Sequence, residues 1–359
     1  MDSEVKRVFV LFDTPPHLND KSWLTQELCN LGFEVREVVL HSNKTLTRMY
    51  IEGGIQRLLC RFLFLTQAIR AIYLSRKGDS IICWNSTSGN LVNALILLLR
   101  LNRQLICMNW LTPQEVDVKS VFRKLCVSNR NVSILVNHKA AATQYRTLFS
   151  NEGVIVRASF YWFPDIYDDK VVFLKPNKTL NTMNRLQCFT GGLNNRDWGM
   201  IVTIAHALPE VDFVCVCIHQ DWESKVVGII PDNIHLYESL PLSEYQNLMR
   251  RSTVVLLPLL EDRASGIINI IRAAQDGHLC CVTHYSFTEQ YFPNPSSPFL
   301  LENSSESWEA AIQHIARMTP EEYSHEVAQI QEYIKATYSP NAGAERLSSI
   351  IRNEGAITI

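Results

Sequence analysis

Short apolar runs recur along this chain, each closed by a polar or small-residue loop and followed by a stretch with helical spacing. Val8–Phe12 is the first run. Lys21–Leu31 is the helix after it, with Asp20 placed to cap it and Gly32 to close it, and Phe33–Leu40 is the second strand. Ser80–Trp84, Gln104–Asn109 and Val132–Val136 repeat the pattern, with a small-residue turn at Asn85–Gly89 and a leucine-rich helix at Asn90–Leu101. Strands that are apolar throughout belong to parallel sheets covered on both faces. The second half keeps the same rhythm. Its strands are Leu186–Thr190, Asp212–Ile218, Ile234–Tyr237, Thr253–Pro258 and Leu279–Val282. Its helices are Trp198–Leu208 behind an Asp197 cap, Glu244–Arg250 behind a Ser243 cap, and Ile267–Gln275. Helices at Ser307–Met318, Pro320–Tyr338 and Asn341–Asn353 close the chain. The alternation predicts an α/β protein built of two Rossmann-like, doubly wound domains.

Length agrees with two domains, because 359 residues exceed what one core ordinarily organises. The polar, lysine-containing segment after Phe160–Asp168 reads as a linker. The expected division is 1–168, a linker at 169–184, a second domain at 185–338, and a terminal helix and tail at 339–359. Ile55–Lys77 is the strongest amphipathic stretch. Arg57, Arg61 and Arg70 inside its apolar span exclude a membrane-crossing helix. Two readings remain for it, a helix packed on the sheet with solvated arginines or a helix resting on an anionic bilayer, and core packing is the simpler.

Charge sharpens that picture. Residues 1–165 carry 20 Lys+Arg against 13 Asp+Glu, and residues 166–359 carry 14 against 23. A basic half beside an acidic half implies that the first half faces something anionic: a membrane surface, a phosphate-bearing acceptor, or the second domain. The ten cysteines stand singly or inside apolar runs, without the paired CxxC spacing of a zinc site, so they read as small buried hydrophobes in a reducing cytoplasm. Met1–Arg7 is charged and leads directly into a strand, so no signal peptide is expected.

Two segments carry candidate chemistry. Leu256–Thr283 reads as a strand ending at Pro258, a polar turn at Glu261–Ser265, Gly266, the helix from Ile267, and a further strand after Asp276-Gly277. A glycine-containing loop leading from a strand into a helix gathers backbone N–H groups and the positive end of a helix dipole, which suits a phosphate. An ordinary crossover without a ligand gives the same pattern. The second segment, Gly191-Gly192-Leu193-Asn194-Asn195-Arg196, again joins a strand to a helix. Glycine admits close backbone contact, and a guanidinium can bind two phosphate oxygens.

Pro258, Ser265-Gly266, Ala273-Ala274, Gly277 and Val282-Thr283 resemble the donor-binding segment of retaining GT-B glycosyltransferases of the group 1, or family 4, type. The resemblance implies a GT-B fold: two Rossmann-like domains facing across a cleft, with a C-terminal helix crossing back to the first. It implies a nucleotide-sugar donor held by the second domain through Gly191, Gly192, Arg196, Tyr237, Glu261, Ser265, Gly266, Ile267, Asn269 and Arg272. Arg196 fills the place of a diphosphate-contacting lysine, and Tyr237 lies where the base is lined. Arg272 is a departure, because the family has a glutamate there for the ribose; Asn269 could replace part of that hydrogen bonding. Arg272 could itself reach a phosphate or pair with Glu261 or Asp262.

No catalytic side chain stands out. Asp13, His17, Asn109 and His138 lie in loops at strand carboxyl ends, where solvation or capping is the plainer role. No metal-ligand cluster is visible, and no cofactor is expected beyond the nucleotide-sugar as substrate. Serine-hydrolase elbow, Walker loop, HExxH and GxGxxG are all missing, and the basic half carries no nucleic-acid-binding module. The expectation is a retaining, metal-independent glycosyltransferase of polysaccharide or glycoconjugate synthesis. It would act on a glycan or lipid-linked acceptor, in the cytoplasm or peripherally on the inner membrane face. Arg272 and the missing glycine loop after the first strand leave a second reading, a non-catalytic GT-B-like partner subunit or glycan-binding protein.

Overall fold

A computed structural model describes residues 5–13, 22–40, 54–108, 116–167, 172–176, 178, 185–192, 194–263 and 265–354, with 22 and 54–58 described as backbone only. The chain divides into two units, residues 1–169 with 338–359, and residues 170–337. The first unit runs β1 (Arg7–Phe12), α1 (Ser22–Asn30), β2 (Glu34–Val39), α2 (Gly54–Leu74), β3 (Ser80–Cys83), α3 (Ser86–Leu98), β4 (Gln104–Cys107), α4 (Val121–Val127), β5 (Val132–Val136), α5 (Ala141–Asn151) and β6 (Ser159–Trp162). Its strands pair in parallel in the order β2-β1-β3-β4-β5-β6.

The two-residue period of a strand decides which helices cover which face. Val8, Val10 and Phe12 pack with Trp23, Leu24 and Leu28 of α1 on one side. Phe9 and Leu11 pack with Ala68 and Ala71 of α2, Val92 and Ile96 of α3, and Tyr145 of α5 on the other. Each buried Val, Leu, Ile or Phe among these contributes about 1.5–3 kcal/mol relative to exposure.

The second unit runs β7 (Gln187–Gly191), α6 (Trp198–Ala207), β8 (Asp212–Cys217), α7 (His219–Lys225), β9 (Ile234–Glu238), α8 (Leu242–Arg251), β10 (Val254–Leu257), α9 (Ile267–Gln275), β11 (Leu279–Thr283), α10 (Ser286–Glu289), β12 (Leu300–Leu301), α11 (Ser305–Arg317) and α12 (Pro320–Tyr338). The order of its parallel sheet is β12-β11-β10-β7-β8-β9. α13 (Pro340–Arg352), capped by Ser339, belongs to the first unit. Its Ala344, Leu347, Ile350 and Ile351 join the cluster of Trp23 and Val8, and Gln104 Nε2 donates to its Ile350 carbonyl at 2.8 Å. Two parallel sheets with flanking helices are therefore observed, as the apolar rhythm predicts, and each carries a sixth strand, β6 or β12, beyond the five expected.

Three local readings are corrected. The small residues after Asn85 are not a turn but the first turn of α3, because Asn85 Oδ1 accepts the Thr87 N–H at 2.7 Å and starts the helix early. Phe160–Asp168, which the sequence places ahead of the linker without an element, begins inside the sheet. Ser159–Trp162 is the sixth strand, pairing Ile134 with Phe160, whose ring stacks on Tyr145 at 5.8 Å in the core. Ser243 does not cap its helix, since α8 starts at Leu242 behind Pro241. Among the described residues, no helix is long and apolar enough to cross a membrane.

Candidate functional site

Both sheets reverse direction once: between β1 and β3 in the first unit, and between β7 and β10 in the second. Where the strand order reverses, loops leaving the carboxyl ends of adjacent strands diverge and open a crevice for ligands. In the second unit those loops are the two glycine-containing segments singled out in the sequence.

They are laced together by backbone and amide groups. Arg196 and Leu259 form an antiparallel bridge, and the Asp197 N–H donates to Pro258 O at 3.0 Å. Asn195, at φ 59°, donates through Nδ2 to Glu261 O at 2.9 Å and accepts the Glu261 N–H through Oδ1 at 3.0 Å. Asn tolerates this left-handed conformation, which aims its amide across the loops. Leu259 N–H is held by Thr283 Oγ1, and Asp197 Oδ1 caps α6 by accepting from Met200 N.

Arg196 lies under this junction and is 2% exposed. Nε donates to Gly191 O at 2.9 Å, and Nη1 to Asn194 O at 3.1 Å and Ser265 Oγ at 3.3 Å. Its Nη2 edge faces two glycines. A Cβ on Gly192 would stand 2.6 Å from Nη2, and one on Gly266 3.1 Å away. Both glycines have positive φ, 141° and 82°, so the loops need glycine for conformation and for the space beside the guanidinium. Burial holds the Arg196 pKa below its ordinary value, while Tyr245, Cys280 and Asp221 act the other way. An arginine remains charged, and among the described residues no carboxylate pairs with it, so a positive charge is left at the crevice floor.

Gly266 is the residue before α9, and no side chain caps the helix there. Asn269, one turn in, turns inward rather than toward the crevice. Its Nδ2 donates to Gly191 O at 3.0 Å and to the Tyr245 phenol oxygen at 2.8 Å. Tyr245 packs edge-on against Phe189 at 5.0 Å and covers Gly191, where a Cβ would meet its ring at 2.7 Å. Burial raises the Tyr245 pKa, with the Asn269 bond and the charges of Arg196 and Arg272 opposing.

The remaining expected residues are placed as follows. Ser265 Oγ donates to Asn194 O and accepts from Arg196, which joins the loops. Ile267 buries its side chain. Glu261 is exposed, with its carboxylate 3.6 Å from Arg263. Asp262 accepts from Ser286 Oγ and Phe287 N at the start of α10. The expected pairing of Arg272 with either acid does not form, because both are engaged elsewhere and Arg272 lies in the last turn of α9. Tyr237, in register with Val216 and thus with Gly191, lies two strands from it, roughly 10 Å away. In the first unit, Asp13 follows β1 and His138 follows β5. Three strand spacings, roughly 14 Å, separate the strand ends that carry them. His17 and Asn109 lie outside the described residues. Among the described residues no group of three or more His, Cys, Asp or Glu could hold a metal.

Asn195 and Tyr245 are the site residues that sequence reasoning passes over. Asn195 left a trace, as an asparagine in a glycine-rich turn. Tyr245 left none, since a tyrosine in the first turn of an amphipathic helix reads as ordinary packing.

The chain is similar in structure to several known proteins. A UDP-forming α,α-trehalose-phosphate synthase from Burkholderia vietnamiensis superposes with TM-score 0.67 at 10% identity, covering 98% of each chain. Sucrose-phosphate synthase from Thermosynechococcus elongatus gives 0.62 at 12%, covering 97% of this chain and 98% of that one. A trehalose-6-phosphate synthase studied for glycosyl transfer with retention gives 0.64 at 11%, covering 97% and 99%. No protein-family model matches the sequence, and no curated protein matches it. At these identities the likeness establishes the fold, which is GT-B.

Proposed function

We propose that the chain is a retaining, metal-independent glycosyltransferase that binds a nucleotide-sugar donor at the β7/β10 crevice of its second unit. The observation that carries this reading is the buried Arg196 charge beneath Gly192 and Gly266, beside the uncapped N-terminus of α9. As the bond from the anomeric carbon to the diphosphate oxygen breaks, negative charge grows on the leaving phosphate. Fixed positive groups that need not reorganise stabilise that charge, the acceptor hydroxyl oxygen bonds to the anomeric carbon, and its proton passes to the departing phosphate oxygen. Nη2 of Arg196, together with the N–H groups of Ile267 and Ile268, supplies such a field without a metal ion. Tyr237, two strands from Gly191, would line the base. The acceptor is a glycan or a lipid-linked carrier, in polysaccharide or glycoconjugate synthesis. The UDP-forming synthase and the retaining synthase among the similar structures support donor class and stereochemistry.

A second reading, a non-catalytic GT-B-like partner, is favoured by Arg272 in the place of a ribose-binding glutamate and by Nε and Nη1 of Arg196 being spent on protein acceptors. Calorimetric titration of the folded protein with UDP, GDP, ADP, CMP and dTDP separates the two. The expected result is binding of one diphosphate that is weakened in Ser265→Ala and lost in Arg196→Ala. Silence across the panel selects the partner reading.

A further inference from the structure

We infer that the outward face of α2 docks the protein onto the surface of an anionic phospholipid bilayer. α2 buries Cys60, Phe64, Gln67, Ala68 and Ala71, and Gln67 Nε2 ties it to the sheet through Phe12 O at 2.8 Å and Val38 O at 2.6 Å. A helix secured on one side in this way normally turns a polar face to water. Here Leu59, Phe62, Leu65, Ile69 and Tyr73 recur at helical spacing on the opposite side and are exposed by 36% to 86%. The stripe is too regular to be scattered surface residues. The neighbouring helices also expose apolar residues: α3 packs beside α2 and ends in exposed Leu97 and Leu98, and α4 packs beside α3 with Phe122 exposed.

Charge identifies the occupant. Arg61 and Arg70 flank the stripe, both exposed, and among the described residues neither pairs with a carboxylate. Between Ile55 and Arg103 the sequence has seven Arg or Lys and one acid, Asp79, which is already paired with Arg7 at 2.9 Å. An apolar stripe edged by arginines, with its arginine stems free to reach up to headgroups, fits a helix lying in the bilayer interface. A second copy of this chain fits poorly, because self-pairing would set arginine against arginine. The face shares no residue with the β7/β10 crevice, and the inference does not depend on what binds there.

Sedimentation of the full chain with vesicles tests it. The protein should pellet with vesicles containing phosphatidylglycerol and stay in solution with phosphatidylcholine alone. Arg61→Gln with Arg70→Gln should weaken partitioning about 25-fold, roughly fivefold per arginine near the surface. Phe62→Ser with Ile69→Ser should abolish pelleting while the circular dichroism and melting of these exposed-site variants stay unchanged. Wild-type protein that ignores anionic vesicles overturns the inference, as does pelleting unaffected by either double variant. A concentration-dependent dimer that Phe62→Ser with Ile69→Ser dissolves, without vesicle binding, assigns the face to self-association instead.

Discussion

Replacing Gly192 by alanine tests whether the crevice floor is held as described. Alanine at φ 141° costs about 1–3 kcal/mol for the backbone alone. The new Cβ would also stand 2.6 Å from Arg196 Nη2, so the guanidinium must retreat by about 0.8 Å to ordinary contact. It is pinned by bonds of 2.9, 3.1 and 3.3 Å, and losing one bond from a charged donor costs about 1.5–3 kcal/mol. The sum is about 2.5–6 kcal/mol. Gly228→Ala is the control, because Gly228 has φ 106° with nothing within 4 Å of its Cβ position and carries only the backbone part. At about 2–4 °C per kcal/mol for a unit of this size, Gly192→Ala should melt about 3–12 °C below Gly228→Ala. Differential scanning calorimetry measures the gap, and nucleotide titration should show lost affinity in Gly192→Ala alone. Equal melting of the two variants would refute the claim that Gly192 makes room for the guanidinium.

Three further outcomes follow from the same geometry. Asn269→Leu should cost about 1–3 kcal/mol in urea unfolding, because Gly191 O loses one of its two side-chain donors and the Tyr245 phenol loses a partner; Tyr245→Phe should cost less, about 1 kcal/mol. Arg272→Glu should lower the melting temperature by no more than about 1–4 °C, since Arg272 makes no ion pair among the described residues and only the dipole at the last turn of α9 opposes an acid there, and it should raise affinity for the nucleotide if a carboxylate there meets a ribose. His278 is 6% exposed, and burial lowers its pKa, with Asp276 opposing and Arg250 acting both ways. The folded state therefore favours the neutral ring. That contribution is fully present above the unfolded value of about 6.5 and is lost as pH falls toward the lower folded pKa. Denaturant unfolding at falling pH should show stability declining below pH about 6.5, with a shallower decline in His278→Leu.

The positions of the strands along the chain were legible because the central strands of a doubly covered parallel sheet are apolar nearly throughout, as in Val8–Phe12 and Phe213–Cys217. Elements without that signature were not. β12 has two residues and α10 four, too few for any period to register. β6 hid in an aromatic segment because Tyr161 and Trp162 are only half-buried. At the site, the pairing of the two glycine loops could be read from strand–glycine–helix order. The burial of Arg196 could not, since a guanidinium beside glycines reads as ligand-facing until its backbone acceptors, Gly191 and Asn194, are known. Likewise Arg272 had plausible acids nearby in sequence, and only the fold shows them committed to Arg263 and α10.

The place of α13 has a consequence for biosynthesis. Its Leu347, Ile350 and Ile351 cover Trp23, Leu24 and Leu28, yet they leave the ribosome after the whole of residues 170–337. At ordinary elongation rates the first unit waits roughly 10–40 s with that apolar face open while the second is being made. Nascent chains of this protein should therefore engage chaperones through the α1 face, and release should coincide with synthesis of the last helix.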